Sequence, residues 1–302
     1  MAETIVECVP NFSEGRDAEK VERIVEAIRS VGNIVVLDRT LDPDHHRSVV
    51  TFAGPAEAVG EAALRGIGQA VATIDLNHHR GVHPRIGAAD VVPFVPVVGV
   101  TLADCAGIAA AVGDEIWRRY RVPVYLYEAA ARRPDRVNLE NIRRGRFERL
   151  RDEVRTNPAR RPDFGEAELH PTAGATAVGA RKFLIAFNVN LNTQDTDIAR
   201  HIAVRVRASS GGLPCVKAMG VRLASRHLAQ VTMNLTDFER TPVDAVFRAV
   251  RDEAGLYGVS IASTEIVGLI PRKALDRSEE WLPTVENFHS GLVLEDRLES
   301  LQ

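Results

Sequence analysis

Apolar residues recur along this chain with two periods, and the switching between them lays out the fold. Ile5-Val6-Glu7-Cys8-Val9 predicts a strand, ended by Pro10 and a turn-like Asn11-Phe12-Ser13-Glu14-Gly15. Asp17 caps a helix carrying Val21, Ile24, Val25 and Ile28 at the i, i+3, i+4, i+7 positions of one face, and Gly32 stops it. Ile34 to Asp38 and Ser48 to Phe52 read as two further strands, joined by a polar loop from Arg39 to His46. Pro55 opens a second helix with a small inner face of Val59, Ala62, Ala63, Gly66, Ile67 and Ala70. After an irregular stretch, Ala89 to Val97 reads as another strand, which Pro93 and Pro96 place at a sheet edge or a bulge. The order is β-α-β-β-α-β, the split βαβ or ferredoxin-like arrangement. A helix from about Leu102 to Arg119 and a strand from Val122 to Tyr127 extend it.

The second half repeats this pattern without repeating the residues. Phe183 to Leu191 predicts a strand, and Ile198, Ile202 and Val206 mark a helix. Val216 to Leu223 and Leu228 to Leu235 predict a hairpin. Thr241-Pro242 start a helix with Val243, Val246, Phe247 and Val250 on one face. Gly258 to Ile261 and Glu265 to Ile270 supply a last extended segment. The expected fold is α+β, with two ferredoxin-like subdomains over residues 1–178 and 179–302. Alternation places Lys182, Asn188 and Asn190 on one side of a strand, and Gln230, Thr232 and Asn234 on one side of the hairpin partner. If those strands are neighbours, the amides form one polar platform. Two open sheet faces are then expected to meet around a ligand cleft, because domain interfaces favour pockets.

Composition narrows the function classes. The 302 residues are 45% hydrophobic and 26% charged, ordinary for a globular protein. A net charge of −3 argues against a nucleic-acid partner. No apolar run reaches the roughly 20 residues of a membrane span, and the N-terminus lacks the form of a signal peptide. A soluble cytoplasmic protein with no membrane partner is expected. Cys8, Cys105 and Cys215 are far apart and read as small buried hydrophobes. From Ala129 to about Asp163 arginine is dense, including Arg132, Arg136, Arg143, Arg149 and Arg160. That stretch reads as a solvated helix, begun at Asn138-Leu139-Glu140, plus a linker; a docking face for a polyanionic tail is the alternative.

Candidate chemistry concentrates in Asn77-His78-His79-Arg80-Gly81-Val82-His83-Pro84-Arg85-Ile86-Gly87. Five of the nine histidines lie between His45 and His83, His45 and His46 being the other two. Imidazole can take and give a proton near neutral pH, and Gly81 and Pro84 disfavour a helix here. That also disfavours a zinc or nickel site, since His79 and His83 could share one metal only on a helix. For His83 itself, a satisfied structural histidine is the competing reading. Gly174-Ala175-Thr176-Ala177-Val178-Gly179-Ala180-Arg181-Lys182 resembles a phosphate loop only superficially, because its lysine does not follow the second glycine directly and the segment precedes a strand. Gly66-Ile67-Gly68 falls inside a helical pattern and is no dinucleotide fingerprint.

Several runs together resemble the formiminotransferase domain family. They include Glu7-Cys8-Val9-Pro10-Asn11-Phe12-Ser13-Glu14-Gly15, His83-Pro84-Arg85-Ile86-Gly87-Ala88, Pro162-Asp163-Phe164-Gly165, Gly179-Ala180-Arg181-Lys182-Phe183-Leu184-Ile185-Ala186-Phe187-Asn188 and Asn234-Leu235-Thr236-Asp237-Phe238-Glu239. They run in order over nearly the whole chain. The resemblance implies transfer of a formimino group from N-formimino-L-glutamate to tetrahydrofolate, a late step of histidine breakdown. It also implies folate, which can be polyglutamylated, as co-substrate, no metal, a homodimer, and folate held between the subdomains. No cyclodeaminase domain follows, so no cyclisation is expected.

Carried over by position, the resemblance makes His83 the catalytic histidine. It makes Gly165, Glu166, Ala167, Glu168, Leu169, His170, Pro171, Thr172, Ala173 and Gly174 the folate-binding segment, with Glu166 where proline is expected. The chemistry adds candidates. A carboxylate, Asp38 or Asp44, would stabilise charged His83 and the amidinium. Arg47, Arg85, Arg181 and Lys182 would clamp substrate carboxylates, and Asn188 and Gln230 belong to the polar platform. The competing functions are formyl transfer between 5-formyltetrahydrofolate and glutamate, and a non-catalytic folate-binding module.

Overall fold

A computed structural model of the protein describes residues 4–286 and 288–299, and the chain divides into two compact units, Met1–Arg181 and Lys182–Gln302. In the first unit the elements are β1 (Ile5–Cys8), β2 (Asn11–Phe12), α1 (Ala18–Arg29), β3 (Val35–Asp42), β4 (Arg47–Gly54), α2 (Ala56–Thr73), β5 (Ala89–Val98), α3 (Leu102–Tyr120), β6 (Val124–Glu128), α4 (Leu139–Arg143), α5 (Arg146–Glu153) and β7 (Thr176–Ala180). One seven-stranded sheet holds them together. Strand β4 lies between β3 and the β1/β2 pair, which also pairs with β5; β5 continues in parallel to β7, and β7 to β6. Val6, Cys8, Phe52, Val92 and Phe94 enter one apolar core with the inner faces of α1, α2 and α3. Strand alternation therefore turns Glu7 to the opposite side of the sheet.

Three details depart from the sequence reading or sharpen it. Strand β3 runs on to Asp42, so the first half of the expected loop from Arg39 to His46 is strand. Among the described residues it pairs with β4 alone, which lets it tolerate the charges of Asp38, Arg39 and Asp42. Strand β5 is interior, so of the two placements its prolines allowed, edge or bulge, the bulge is the one that holds. Each proline meets a broken ladder: Pro93 lies opposite the Val9–Pro10 gap between β1 and β2, and Pro96 adjoins the register shift at Ile5/Val6. The missing N–H therefore costs no hydrogen bond. Finally, Thr176–Ala180, inside the loop-like glycine run, is strand β7 of the first sheet. The division between units thus falls after Arg181, where the sequence reading placed it after 178.

The second unit contains β8 (Ile185–Leu191), α6 (Thr196–Val206), β9 (Val216–Leu223), β10 (Leu228–Leu235), α7 (Val243–Gly255), β11 (Ile261–Val267) and α8 (Leu294–Glu299). Its four-stranded antiparallel sheet has the order β11-β8-β10-β9. Ile185, Phe187, Val189 and Leu191 of β8 and Ala229, Val231, Met233 and Leu235 of β10 are all buried in a second core with α6 and α7. Of the cysteines, Cys8 and Cys105 are buried and Cys215 is half-buried. Among the described residues, no helix is long and apolar enough to cross a membrane.

Candidate active site

The histidine-bearing loop between α2 and β5 is irregular and fastened along its length. Leu76 N donates to Thr172 O (2.9 Å), Ala88 N to Ala173 O (2.9 Å) and Ala175 N to Ile86 O (2.9 Å). Gly87 and Gly174 form a bridge, and both positions require glycine. A Cβ on Gly87 would lie 1.9 Å from Ala175 O, and one on Gly174, whose φ is +71°, 2.2 Å from Ile86 O. Gly81 likewise seats its α-carbon against the backbone of the β3–β4 turn, where a Cβ would come within 2.3 Å of His45 O. The end of the segment assigned to folate is thus laced directly to the loop that carries His83.

His83 is half-buried at the centre of a charged network. Arg47 Nη1 lies 2.7 Å from its Nδ1, and Pro84 O is also 2.7 Å from that same nitrogen. A guanidinium only donates and a carbonyl only accepts, so Nδ1 can satisfy one of the two at a time. Arg47 is itself held by Asn11, whose Oδ1 accepts from Nε (2.9 Å) and Nη2 (2.5 Å), and by Asp90, whose Oδ2 accepts from Nη1 (3.2 Å). Arg143 Nη2 donates to the same Asp90 oxygen (2.5 Å), and Ile86 N donates to Asp90 Oδ1 (2.8 Å). Asp90 is 1% exposed.

Two guanidinium groups against one carboxylate leave a net positive charge beside the imidazole. Burial, then Arg47 and Arg143, hold the His83 pKa well below the ordinary histidine value. Burial and the Arg143 charge also push Arg47 down to about 9, still charged at neutral pH. The site therefore offers an uncharged imidazole, able to accept a proton, next to uncompensated positive charge suited to a carboxylate or a developing oxyanion.

The other histidines brace the loop. His45 Nδ1 sits 2.5 Å from Asp42 Oδ2, and its ring tilts toward His83 with centroids 6.1 Å apart. His46 and His79 stack at 4.2 Å. His46 Nε2 lies 3.1 Å from Glu14 Oε1, which also accepts from the backbone N–H groups of Gly15, Arg16 and Asp17 at the start of α1. Burial pushes His79 down to about 4. His78 is exposed.

Of the candidates drawn from the sequence, the structure brings Arg47 to His83 and places others elsewhere. Arg85 is turned to His79 Nδ1 (2.9 Å) and to an ion pair with Glu148 (2.8 Å), so it braces the loop. Lys182 pairs with Asp237 (3.1 Å) in the second unit. Asp38 lies in β3 opposite Thr51, and Asp44 in the β3–β4 turn, its carbonyl accepting from Val82 N (3.5 Å). The carboxylate linked to His83 through Arg47 is instead Asp90. Arg181 follows β7 and acts electrostatically on Glu7. Asn188 faces Thr232, and Gln230 Nε2 donates to Asn190 Oδ1 (2.9 Å) and Glu265 Oε2 (3.2 Å), so the amides of β8 and β10 do share a side.

In the segment from Gly165 to Gly174, Gly165 (φ +109°), Glu166, Glu168 and Pro171 are exposed, and Ala167 is half-buried. Leu169 and Ala173 are buried. His170 Nδ1 accepts from Thr172 N (3.3 Å) and Ala173 N (3.0 Å), which folds the segment's end into a tight turn.

Asp90, Arg143 and Asn11 were missed. Asp90 had a signal, a lone carboxylate inside the apolar run Ala89-Asp90-Val91-Val92. Arg143 was hidden among like neighbours. The solvated-helix reading of that stretch fails for three of its arginines. Arg143 reaches Asp90, Arg136 is buried against Asp163, and Arg160 donates to the carbonyls of Asn141 (3.0 Å) and Arg144 (2.7 Å). A cavity of about 420 Å³ lies there, lined by Arg136, Arg144, Arg149 and Arg160 with Asp135 and Glu153.

Comparison with known proteins agrees with this layout. The formiminotransferase domain, N-terminal subdomain, matches residues 5–181, and the formiminotransferase domain matches residues 186–296. The chain is 42% identical to glutamate formimidoyltransferase of Streptococcus pyogenes serotype M1, over 97% of this chain and 98% of that protein. It is 43% identical to glutamate formimidoyltransferase of Thermoplasma acidophilum, over 98% of each. It is also 42% identical to formimidoyltransferase-cyclodeaminase of Mus musculus, over 90% of this chain but only 51% of that protein. The chain belongs to the formiminotransferase domain family.

Proposed function

We propose that this protein transfers the formimino group from N-formimino-L-glutamate to tetrahydrofolate, giving 5-formiminotetrahydrofolate and L-glutamate, with His83 as proton carrier. The observation that carries the role of His83 is an imidazole 2.7 Å from the Arg47 guanidinium, held unprotonated by burial and by the charges of Arg47 and Arg143. N5 of tetrahydrofolate attacks the formimino carbon, and a tetrahedral adduct forms. His83 takes the N5 proton and returns it to the nitrogen of the departing glutamate. For that work Nδ1–H donates to Pro84 O, which leaves Nε2 free to accept. Arg47 and Arg143 attract a carboxylate of formiminoglutamate, and its negative charge raises the His83 pKa toward the working range once substrate is bound.

The segment from Gly165 to Gly174 is the folate contact in this reading; its lacing to the loop supports the role by fixing co-substrate relative to base. Each unit is read as ferredoxin-like, on the β-α-β-β-α-β order of its elements. A homodimer and a cytoplasmic location complete the reading. His83→Ala should lower turnover by roughly 10²- to 10⁴-fold while folate binding persists. Near-normal turnover in a transfer assay with formiminoglutamate and tetrahydrofolate would remove His83 from the reaction.

A further inference from the structure

Glu7 is 3% exposed, in the middle of β1, between Ala53 of β4 and Val95 of β5. Among the described residues its carboxylate has no hydrogen-bond or ion-pair partner; the one charge drawing it toward the ionised form is that of Arg181. Burial pushes its pKa up to about 7. A carboxyl group placed so costs stability and contributes nothing to the core. Such a group calls for a partner from outside the protein, a water, an ion or a ligand.

Its position points to which ligand. Pairing places Glu7 with Ala53 and Val95, and Asn11 with Val49 and Val91, so the two lie on the same side of the sheet. Asn11 is the residue that holds Arg47 against His83. The partners of Glu7 and Asn11, Ala53 and Val49, stand four positions apart on the continuous strand β4, about 13 Å. That span accommodates one hydrogen bond of about 3 Å, a fused two-ring system, and an attack distance of about 3–3.5 Å.

We infer that Glu7 is the recognition residue for the 2-amino-4-oxopyrimidine edge of the pterin ring, accepting from its ring N–H and its exocyclic amine. The inference rests on the formimino-transfer reading. Two parallel N–H donors on one planar edge match the two oxygens of a carboxylate. Glu7 is thus a positioning residue for the co-substrate and has no part in the proton transfers.

The test compares wild type with Glu7→Gln, binding two halves of the co-substrate: a tetrahydropterin without the tail, and p-aminobenzoylglutamate without the pterin. Glutamine keeps the shape but replaces one acceptor oxygen with a donor. Tetrahydropterin affinity should fall about 10- to 100-fold, the worth of a charge-assisted hydrogen bond. Affinity for p-aminobenzoylglutamate should stay unchanged. In the transfer assay KM for tetrahydrofolate should rise while KM for formiminoglutamate holds. Equal tetrahydropterin affinity in both proteins, equal losses for both halves, or a rise confined to formiminoglutamate KM would each overturn the assignment. Melting temperature controls for folding: Glu7→Gln should melt higher, and a gain without loss of pterin affinity marks Glu7 as structural only. A wild type that binds neither half and transfers nothing would instead overturn the formimino-transfer reading itself.

Discussion

The pKa of His83 is set first by burial and then by the positive charges beside it, and the second contribution is adjustable one residue at a time. Arg143 touches Asp90 and not the imidazole, yet its charge helps keep the ring unprotonated. Removing it with Arg143→Met should raise the His83 pKa. A base is lost when it protonates, so the acid limb of kcat/KM should move to higher pH, by roughly one unit. A pH–rate profile with an unmoved limb would mean that Arg143 acts only through packing. Asp90→Asn tests the opposite charge. It leaves Arg47 and Arg143 facing each other in a buried site, and urea unfolding should report a loss of roughly 3–5 kcal/mol.

At the level of elements, the hairpin Val216–Leu223 and Leu228–Leu235 was legible because strict alternation leaves one register that buries Ala229, Val231, Met233 and Leu235. Helix α1 was legible from its cap and its apolar stripe. Strand β7 was not, because Thr176-Ala177-Val178-Gly179-Ala180 is made of small residues whose burial comes from neighbours distant in sequence. Nor was the role of Asp90, since nothing local shows that arginines from β4 and α4 will converge on it. The lacing of the His83 loop to the segment just before β7 was equally out of reach, since it joins residues 87 and 174. Gly174→Ala should cost at least about 2 kcal/mol, for a positive φ and a backbone collision together. Thermal unfolding checks that, and loss of transfer activity should accompany it.

Across the whole molecule, acid sensitivity is unevenly distributed. His79, His83 and His170, all in the first unit, have depressed pKa values. Below the unfolded histidine value of about 6.5 the unfolded chain binds protons that the folded one refuses, so stability falls as pH drops from there toward 4. Glu7 opposes this, because its raised pKa makes the folded state less stable as pH rises from about 4.5 to 7. Three histidines outweigh one glutamate. The resolved shifts of the second unit that bear on mild acid belong to carboxylates held low, Asp237 and Glu286, whose loss comes at lower pH. Hydrogen exchange between pH 7 and 5 should therefore show protection falling in Met1–Arg181 before Lys182–Gln302. Uniform loss across both would contradict the assignment.

Strand β2 carries one more consequence. It is two residues long, wedged between β4 and β5, and one of those two residues is the Asn11 that positions Arg47. A slip of one place would present Phe12 to the guanidinium while leaving most of the core intact. Catalytic competence is therefore a finer gauge of correct assembly than spectroscopic foldedness. A refolded preparation can regain its full helix signal and still contain molecules that turn over nothing, and titrating active sites against total protein would count them.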